Sequence, residues 1–353
     1  MFSIAFALAL SLLMAYAFAF INGVHDTANA IATTVATRAL SPRRAIALAA
    51  VLNFVGAYVS TTWLSKGAVA STISKGLVYG AVAQHTIIAA LLAAILWGLA
   101  TWYLGLPSSS SHALIGGLLG AAAFDNLTLG CIQWKGVWDK VILPLFTSPI
   151  VGALVAFFFV TVLYQLLRPF AHRAVTGKFA KIQIISASFM AFSHGSNDTQ
   201  KTMGIVTLAL TGAMAANPGA LPAWLSPGAG SAIPLWVIIS CAVVMALGTS
   251  LGGLRIIRTM GDRMIHITPV EGFAAETSAA LVIEGASLLG APVSTTHVIS
   301  SAIMGVGAAK RLSAVRWRVV FDMVLAWIIT IPVSALVGGV ADLLLKAAFG
   351  GTF

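Results

Sequence analysis

Two aspartates deep in apolar sequence, Asp26 and Asp198, are the residues best placed to do chemistry. Each has a glycine three residues before it, Gly23 and Gly195, that could interrupt a helix and free backbone carbonyls. A carboxylate beside unwound carbonyls supplies hard oxygen ligands and one compensating charge, which suits a cation. Asn29 follows Asp26 by one turn and adds a neutral oxygen, so Asp26 and Asn29 are the candidate sodium ligands. The competing role is local: aspartate is a favoured N-cap, and both could simply start a second half-helix.

A second set of groups suits an anion. Ser109, Ser110 and Ser111 follow Pro107, and Ser294, Thr295 and Thr296 follow Pro292. Proline ends one helix and fits the first turn of the next. Hydroxyls placed there stand at a helix N-terminus, where free N–H groups and the positive dipole end attract a tetrahedral oxyanion. Serine and threonine also serve as plain helix–helix contacts in membranes, which is the alternative role. His112 and His297 close the two runs; each either titrates near neutrality or is held by a structural hydrogen bond. Glu276 is either a third ion or proton group or a satisfied glutamate inside the bundle. Glu284 follows it by eight residues. Asp139 and Asp322 read as interfacial caps.

These positions are duplicated in order. Phe20, Gly23, Asp26 and Thr27 return as Phe192, Gly195, Asp198 and Thr199, an offset of 172. Pro107, Ser109 and His112 return as Pro292, Ser294 and His297 at 185, and Lys135, Asp139 and Pro149 are echoed by Arg318, Asp322 and Pro332 at 183. The copies differ at one telling place: where the first has Asn29, the second has Lys201. A lysine cannot ligate a cation. It pairs with Asp198, fills a lost ion site as a tethered ammonium, or takes part in proton coupling.

The elements that carry these groups are set by hydrophobicity. Of 353 residues, 59% are hydrophobic and only 8% charged, against roughly 25% charged in a soluble domain. Mean hydropathy is +0.97. The chain has no surface to keep it in water, and its apolar runs reach the roughly 20 residues a helix needs to cross a bilayer. The start, Met1–Ala19, has a signal-like core without a basic head, and is expected to be a retained helix. Predicted spans are 3–37 (broken at the Asn-Gly motif), 44–64, 84–105, 107–124 and 139–166, then 182–210, 234–254, 270–290, 292–309 and 319–346. The short fourth span of a copy could equally be re-entrant.

Five spans per copy is an odd number, so the second copy should be inverted relative to the first. Repeat 1 covers 1–166, a basic linker 167–181, and repeat 2 182–353. The basic residues agree. With the N-terminus outside, 14 lysines and arginines fall on the cytoplasmic side and 5 outside, with Lys201 alone inside a motif, as the positive-inside rule requires. The net charge of +10 therefore reflects topology, and no nucleic-acid partner is expected. The fold class is all-α: a polytopic membrane protein of two inverted repeats with broken or re-entrant helices at mid-membrane. Cys131 and Cys241 have no metal or disulfide spacing. No Gly-Lys-Ser/Thr phosphate loop is present, so ATP is not a direct driver, and no enzyme activity or cofactor beyond a coupling ion is expected.

Residues 22–30, residues 195–201 and the two Pro-x-Ser-x-x-His segments resemble the inorganic phosphate transporter (PiT) family, in particular its bacterial low-affinity members. The likeness runs over essentially the whole chain. It implies import of phosphate across the cell inner membrane by symport with sodium or protons, a homodimer in the lipid bilayer, and both termini outside. By motif position it implies Asp26, Asn29, Asp198 and Glu276 for the coupling ion and Lys201 as charge partner. The two hydroxyl runs, Ser109, Ser110, Ser111, Ser294, Thr295 and Thr296, are implied for phosphate. Sodium-coupled members usually carry an Asn-type residue where this chain has Lys201. Sulfate or another tetrahedral oxyanion is the alternative substrate within the family.

Overall fold

The computed structural model describes residues 4–217, 219, 221–228 and 232–349. The extreme termini and five positions of the uncharged 211–233 linker lie outside the described residues, as do the side chains of His172, Leu254, Asp262, Arg263 and Phe349. The described residues are helical apart from turns and two isolated bridges. In chain order the helices are α1 Ile4–Ala36, α2 Pro42–Val59, α3 Ala68–Lys75, α4 Gln84–Leu104, α5 Ser110–Asp125, α6 Trp134–Val137 and α7 Leu143–Leu167. Then come α8 His172–Ala216, α9 Leu235–Leu251, α10 Leu254–Arg258, α11 Pro269–Leu288, α12 Thr295–Lys310 and α13 Trp317–Phe349. A π-turn over Trp138–Ile142 joins α6 to α7 in one 34-residue run. Among the described residues, five helical runs are by themselves long and apolar enough to span a bilayer. The protein is a multi-pass membrane protein, and its leucines, phenylalanines and tryptophans crowd the outer faces.

α1 and α8 correct one expectation. Both run unbroken through the aspartate motifs, so no unwound carbonyls flank Asp26 or Asp198, and neither residue is an N-cap. The glycines have another purpose. A Cβ on Gly23 would lie 2.5 Å from the Met245 carbonyl oxygen of α9, and one on Gly248 of α9 would lie 2.2 Å from that of Phe20. The same relation joins α8 to α2: Gly195 against Asn53 at 2.2 Å and Gly56 against Phe192 at 2.0 Å. Backbone packs directly on backbone, as small residues allow in membranes. Gly195→Ala is expected to push α2 from α8 and destabilise by about 1–3 kcal/mol or more. Thermal unfolding in detergent measures this, and an unchanged midpoint would rule out the close approach.

The breaks fall instead before α5 and α12. Gly105 ends α4 at φ +67° and Gly290 follows α11 at φ +68°, a left-handed conformation that glycine adopts freely. In both turns the next N–H reaches back: Leu106 to Thr101 O and Ala291 to Ala286 O, each at 2.9 Å. This is a Schellman-type closure. Pro107 and Pro292 follow, then Ser109 and Ser294 as N-caps. Their Oγ atoms accept from the backbone N–H of His112 at 3.2 Å and of His297 at 3.3 Å. α5 and α12 are 16 residues each, about 24 Å long, and begin inside the protein. Asp139 and Asp322 do not cap: both lie within helical runs on exposed faces.

Contacts sort the helix ends into two groups. At one end, Thr37 donates to Gln183, Arg255 to the Tyr103 carbonyl, and Tyr164 and Lys310 to Glu271. At the other, Gln84 donates to Ala209 O, Gln133 to Lys75 O and Lys140 to Leu289 O. The end of α1 touches Gln183 in the first third of α8, and Asp26, earlier in α1, lies near Asp198, later in α8, so the two motif helices run antiparallel. The short helices pack across the copies as well. A Cβ on Gly120 of α5 would meet the Ala335 carbonyl of α13 at 2.0 Å, and one on Gly305 of α12 that of Ala153 in α7 at 2.1 Å.

Candidate functional site

The starts of α5 and α12 meet the middles of α1 and α8 in one buried polar cluster. Ser110 Oγ donates to Asp26 Oδ2 at 2.9 Å, and Thr295 Oγ1 donates to Asp198 Oδ2 at 3.1 Å. Each first-turn hydroxyl thus serves the aspartate of its own copy. The residues one turn beyond the aspartates cross over. Asn29 Nδ2 donates to Thr295 Oγ1 at 3.1 Å and Thr296 Oγ1 at 2.9 Å. Lys201 Nζ crosses to Ser111 Oγ and also reaches the Val293 carbonyl of its own copy, the latter at 2.8 Å. Asp26, Asp198 and Lys201 are each no more than 1% exposed, and the two carboxylates and His194 bring ligand atoms within 4.8 Å of one another.

Lys201 makes its third contact with Asp198 Oδ1, at 2.5 Å. Carboxylate, hydroxyl and backbone carbonyl are the donor set of an alkali-cation cage, here closed around an ammonium. The corresponding place in the first copy has Asp26, Thr296 and Asn29, whose Oδ1 is buried and accepts no hydrogen bond. Two carboxylates face one fixed ammonium. Asp26 is contacted by His25 Nδ1 at 2.7 Å, and a neutral imidazole would leave its charge unbalanced in a medium where isolated charge is costly.

Glu276 stands apart from the aspartate pair. Its Oε1 accepts from Thr33 at 2.5 Å, Thr34 at 2.6 Å and Gln183 at 3.0 Å, and its Oε2 from Ser186 at 2.5 Å. Thr33 is seven residues past Asp26 on the unbroken α1, about 10 Å along its axis. Ser109 and Ser294 spend their acceptor capacity on helix starts, while Ser110, Ser111, Thr295 and Thr296 point at charged or amide groups. His112 and His297 face each other with ring centroids 4.9 Å apart, and His297 stacks on Trp327 at 4.0 Å. Both ring nitrogens of His297 lack a hydrogen bond. A structural hydrogen bond therefore does not hold that ring.

Several members of the cluster carry no repeat signature. Asn53 of α2 takes His194 Nδ1 at 3.1 Å and donates to Thr249 at 2.9 Å; a lone amide inside an apolar run was its only signal. Thr33, Thr34, Gln183 and Ser186 read as ordinary helix residues until Glu276 is placed among them. Asn22 lines the small cavity beside His25 and Ser110, and neither atom of its amide is hydrogen-bonded.

A family model described as "Phosphate transporter family" matches residues 22–177 and again 165–338. The chain belongs to the phosphate transporter family. Among its relatives, a Bacillus subtilis protein named "Probable low-affinity inorganic phosphate transporter" is 44% identical over 343 residues, covering 96% of this chain and 97% of that one. A Rhizobium meliloti protein of the same name is 42% identical over 338 residues, 95% and 96% of the two chains. A solved structure titled "The sodium-dependent phosphate transporter" superposes with a TM-score of 0.82 at 25% identity, covering 97% of this chain and 99% of that chain. Membership of the phosphate transporter family fits a site in which hydroxyl-bearing helix starts lie against paired carboxylates.

Proposed function

We propose that this chain imports inorganic phosphate across the cell inner membrane as a secondary symporter, driven by a proton or sodium gradient. The observation that carries this is the convergence of Ser110 on Asp26 and Thr295 on Asp198 at the starts of α5 and α12. Phosphate docks between the two helix starts and is held by Ser110, Ser111, Thr295 and Thr296 with the free N–H groups behind them. Ser109 and Ser294 hold those starts in shape. Asp26 and Asn29 take the coupling cation or proton, Asp198 and Lys201 form the matching fixed pair, and Glu276 is a further ion or proton group.

Coupling follows from hydrogen counting. A serine hydroxyl has one hydrogen to donate, and Ser110 gives its hydrogen to Asp26. A cation or proton on Asp26 weakens that bond and releases the hydroxyl for phosphate. Cation and anion therefore favour each other's binding, which is the requirement for symport. Because the cluster is buried, the two copies must shift against each other to open it to either side. The antiparallel run of α1 and α8 supports inverted repeats at 1–166 and 182–353, joined through the basic segment 167–181. Gathering of arginines and lysines at one helix end supports an N-out, C-out orientation. A homodimer in the bilayer completes the proposal.

Labelled phosphate uptake into proteoliposomes, with sodium and proton gradients imposed separately, tests it. Accumulation under one gradient is the expected result; none under either, with sulfate taken up instead, would overturn the substrate. Removing both first-turn hydroxyls, Ser110→Ala with Thr295→Ala, is expected to raise the phosphate KM by about 10-fold or more, since two charge-assisted bonds are lost at about 1.5–3 kcal/mol each before compensation by water. An unaltered KM would take phosphate away from the helix starts.

A further inference from the structure

The end of the bundle where α4 begins holds a second cluster of charged groups. From Thr101, which touches His25, to His85 is about 24 Å along α4. His85 Nε2 lies 3.1 Å from Asp125 Oδ1 at the end of α5 and 3.6 Å from Asp342 Oδ1 on α13. Lys346 bonds Asp125 twice, to Oδ1 at 2.8 Å and to its carbonyl at 2.9 Å. Asp342 fares differently: it is 0% exposed, and neither of its oxygens accepts a hydrogen bond. One hydrogen on Nε2 can serve only one carboxylate, and Asp125 takes it. A buried carboxylate aimed at an imidazole, with the Thr86 hydroxyl beside it but not hydrogen-bonded to it, calls for a positive ligand.

We propose that His85, Asp125 and Asp342 form a binding site for a first-row transition dication of the zinc class. The three ligand atoms lie within 4.8 Å of one another. Tetrahedral bonds of about 2.0–2.1 Å place ligand atoms about 3.3 Å apart, and the two separations from Nε2, 3.1 and 3.6 Å, bracket that value. Two carboxylates supply negative charge to the dication, Asp125 sharing its own with Lys346, and water completes the four ligands. An imidazole among few ligands suits zinc, cobalt or nickel better than calcium or magnesium, which require more oxygens. Access is from the helix ends, where Asp125 is partly exposed. The metal ties the far end of α5 to α4 and α13, so it restrains the helix whose start presents Ser110 and Ser111.

Tag-free protein in detergent and phosphate-free buffer, titrated with Co²⁺, provides the test. Saturable visible ligand-field bands of tetrahedral type, displaced by Zn²⁺, are expected. Asp342→Asn and His85→Gln should each weaken binding at least about tenfold. His194→Gln, which removes the only nitrogen of the central trio, should leave the bands in place. Absence of saturable binding would overturn the site and leave a proton as the partner of Asp342. Bands kept in both outer variants and lost in His194→Gln would assign the metal to the centre, which also overturns it. The thermal midpoint gives a second readout: Zn²⁺ should raise it in the wild type and not in Asp342→Asn or His85→Gln, and an equal rise in all three counts against the site.

Discussion

Asp26→Asn is expected to abolish gradient-driven phosphate accumulation, bringing the ratio of internal to external phosphate to about one when no membrane potential is imposed. The substitution keeps shape and one acceptor oxygen, so Ser110 can still donate to residue 26 and the cluster can still pack. What disappears is the charge that a cation or proton neutralises. Without it, nothing in the first copy distinguishes a loaded coupling site from an unloaded one, and a ligand with no differential binding cannot shift an equilibrium. Exchange of labelled for unlabelled phosphate between the two sides should persist more than net accumulation does. Equal accumulation in variant and wild type would remove Asp26 from coupling. A helix-capping role would not survive as the alternative, because Asp26 lies in the middle of an uninterrupted helix.

Asp198→Asn should act mainly on stability. Lys201 is 1% exposed and Asp198 is its one carboxylate partner among the described residues. Removing one member of a buried ion pair leaves an uncompensated charge, at a cost of about 3–5 kcal/mol. Thermal unfolding in detergent should show a large drop in midpoint. Adding Lys201→Met removes the stranded ammonium and should restore most of that loss, while phosphate accumulation stays defective in the double variant. If Asp198→Asn alone were as stable as wild type, the pair would not be the ionised couple described here. If the double variant transported normally, the fixed ammonium would have no part in transport.

Much of this was legible because the informative residues are polar and the rest of the chain is not. The span predicted at 84–105 is α4 over Gln84–Leu104, and 292–309 is α12 over Thr295–Lys310. The Pro-Ser and Pro-Val runs located the two buried helix starts, since proline followed by capping hydroxyls suits the first turn of a helix. The breaks expected at Asn22-Gly23 and Gly195 were a different matter. Glycine permits an unwound turn and also permits two helices to touch, and only the partner helix distinguishes the two. That partner, Gly248 for Gly23 and Asn53 for Gly195, comes from the other copy and leaves no local mark. Glu276 shows the same limit: its four donors come from α1 and α8, distant in sequence. Lys201 was placed beside Asp198 by helical spacing alone, but its bond to Ser111 needed the fold.

The glycine contacts between the copies also bear on how such a chain can change over time. Gly23 meets α9, Gly195 meets α2, Gly120 meets α13 and Gly305 meets α7, and each of these four contacts joins one half to the other. A half expressed alone would present backbone grooves with nothing to fill them. Its natural complement is the other half, or a second copy of itself before the two sequences diverged. A side chain gained at any of these glycines must be answered by a shift in the opposite half. The two halves are therefore bound to drift together at these seams, and Asn29 and Lys201 mark where the polar centre let them part.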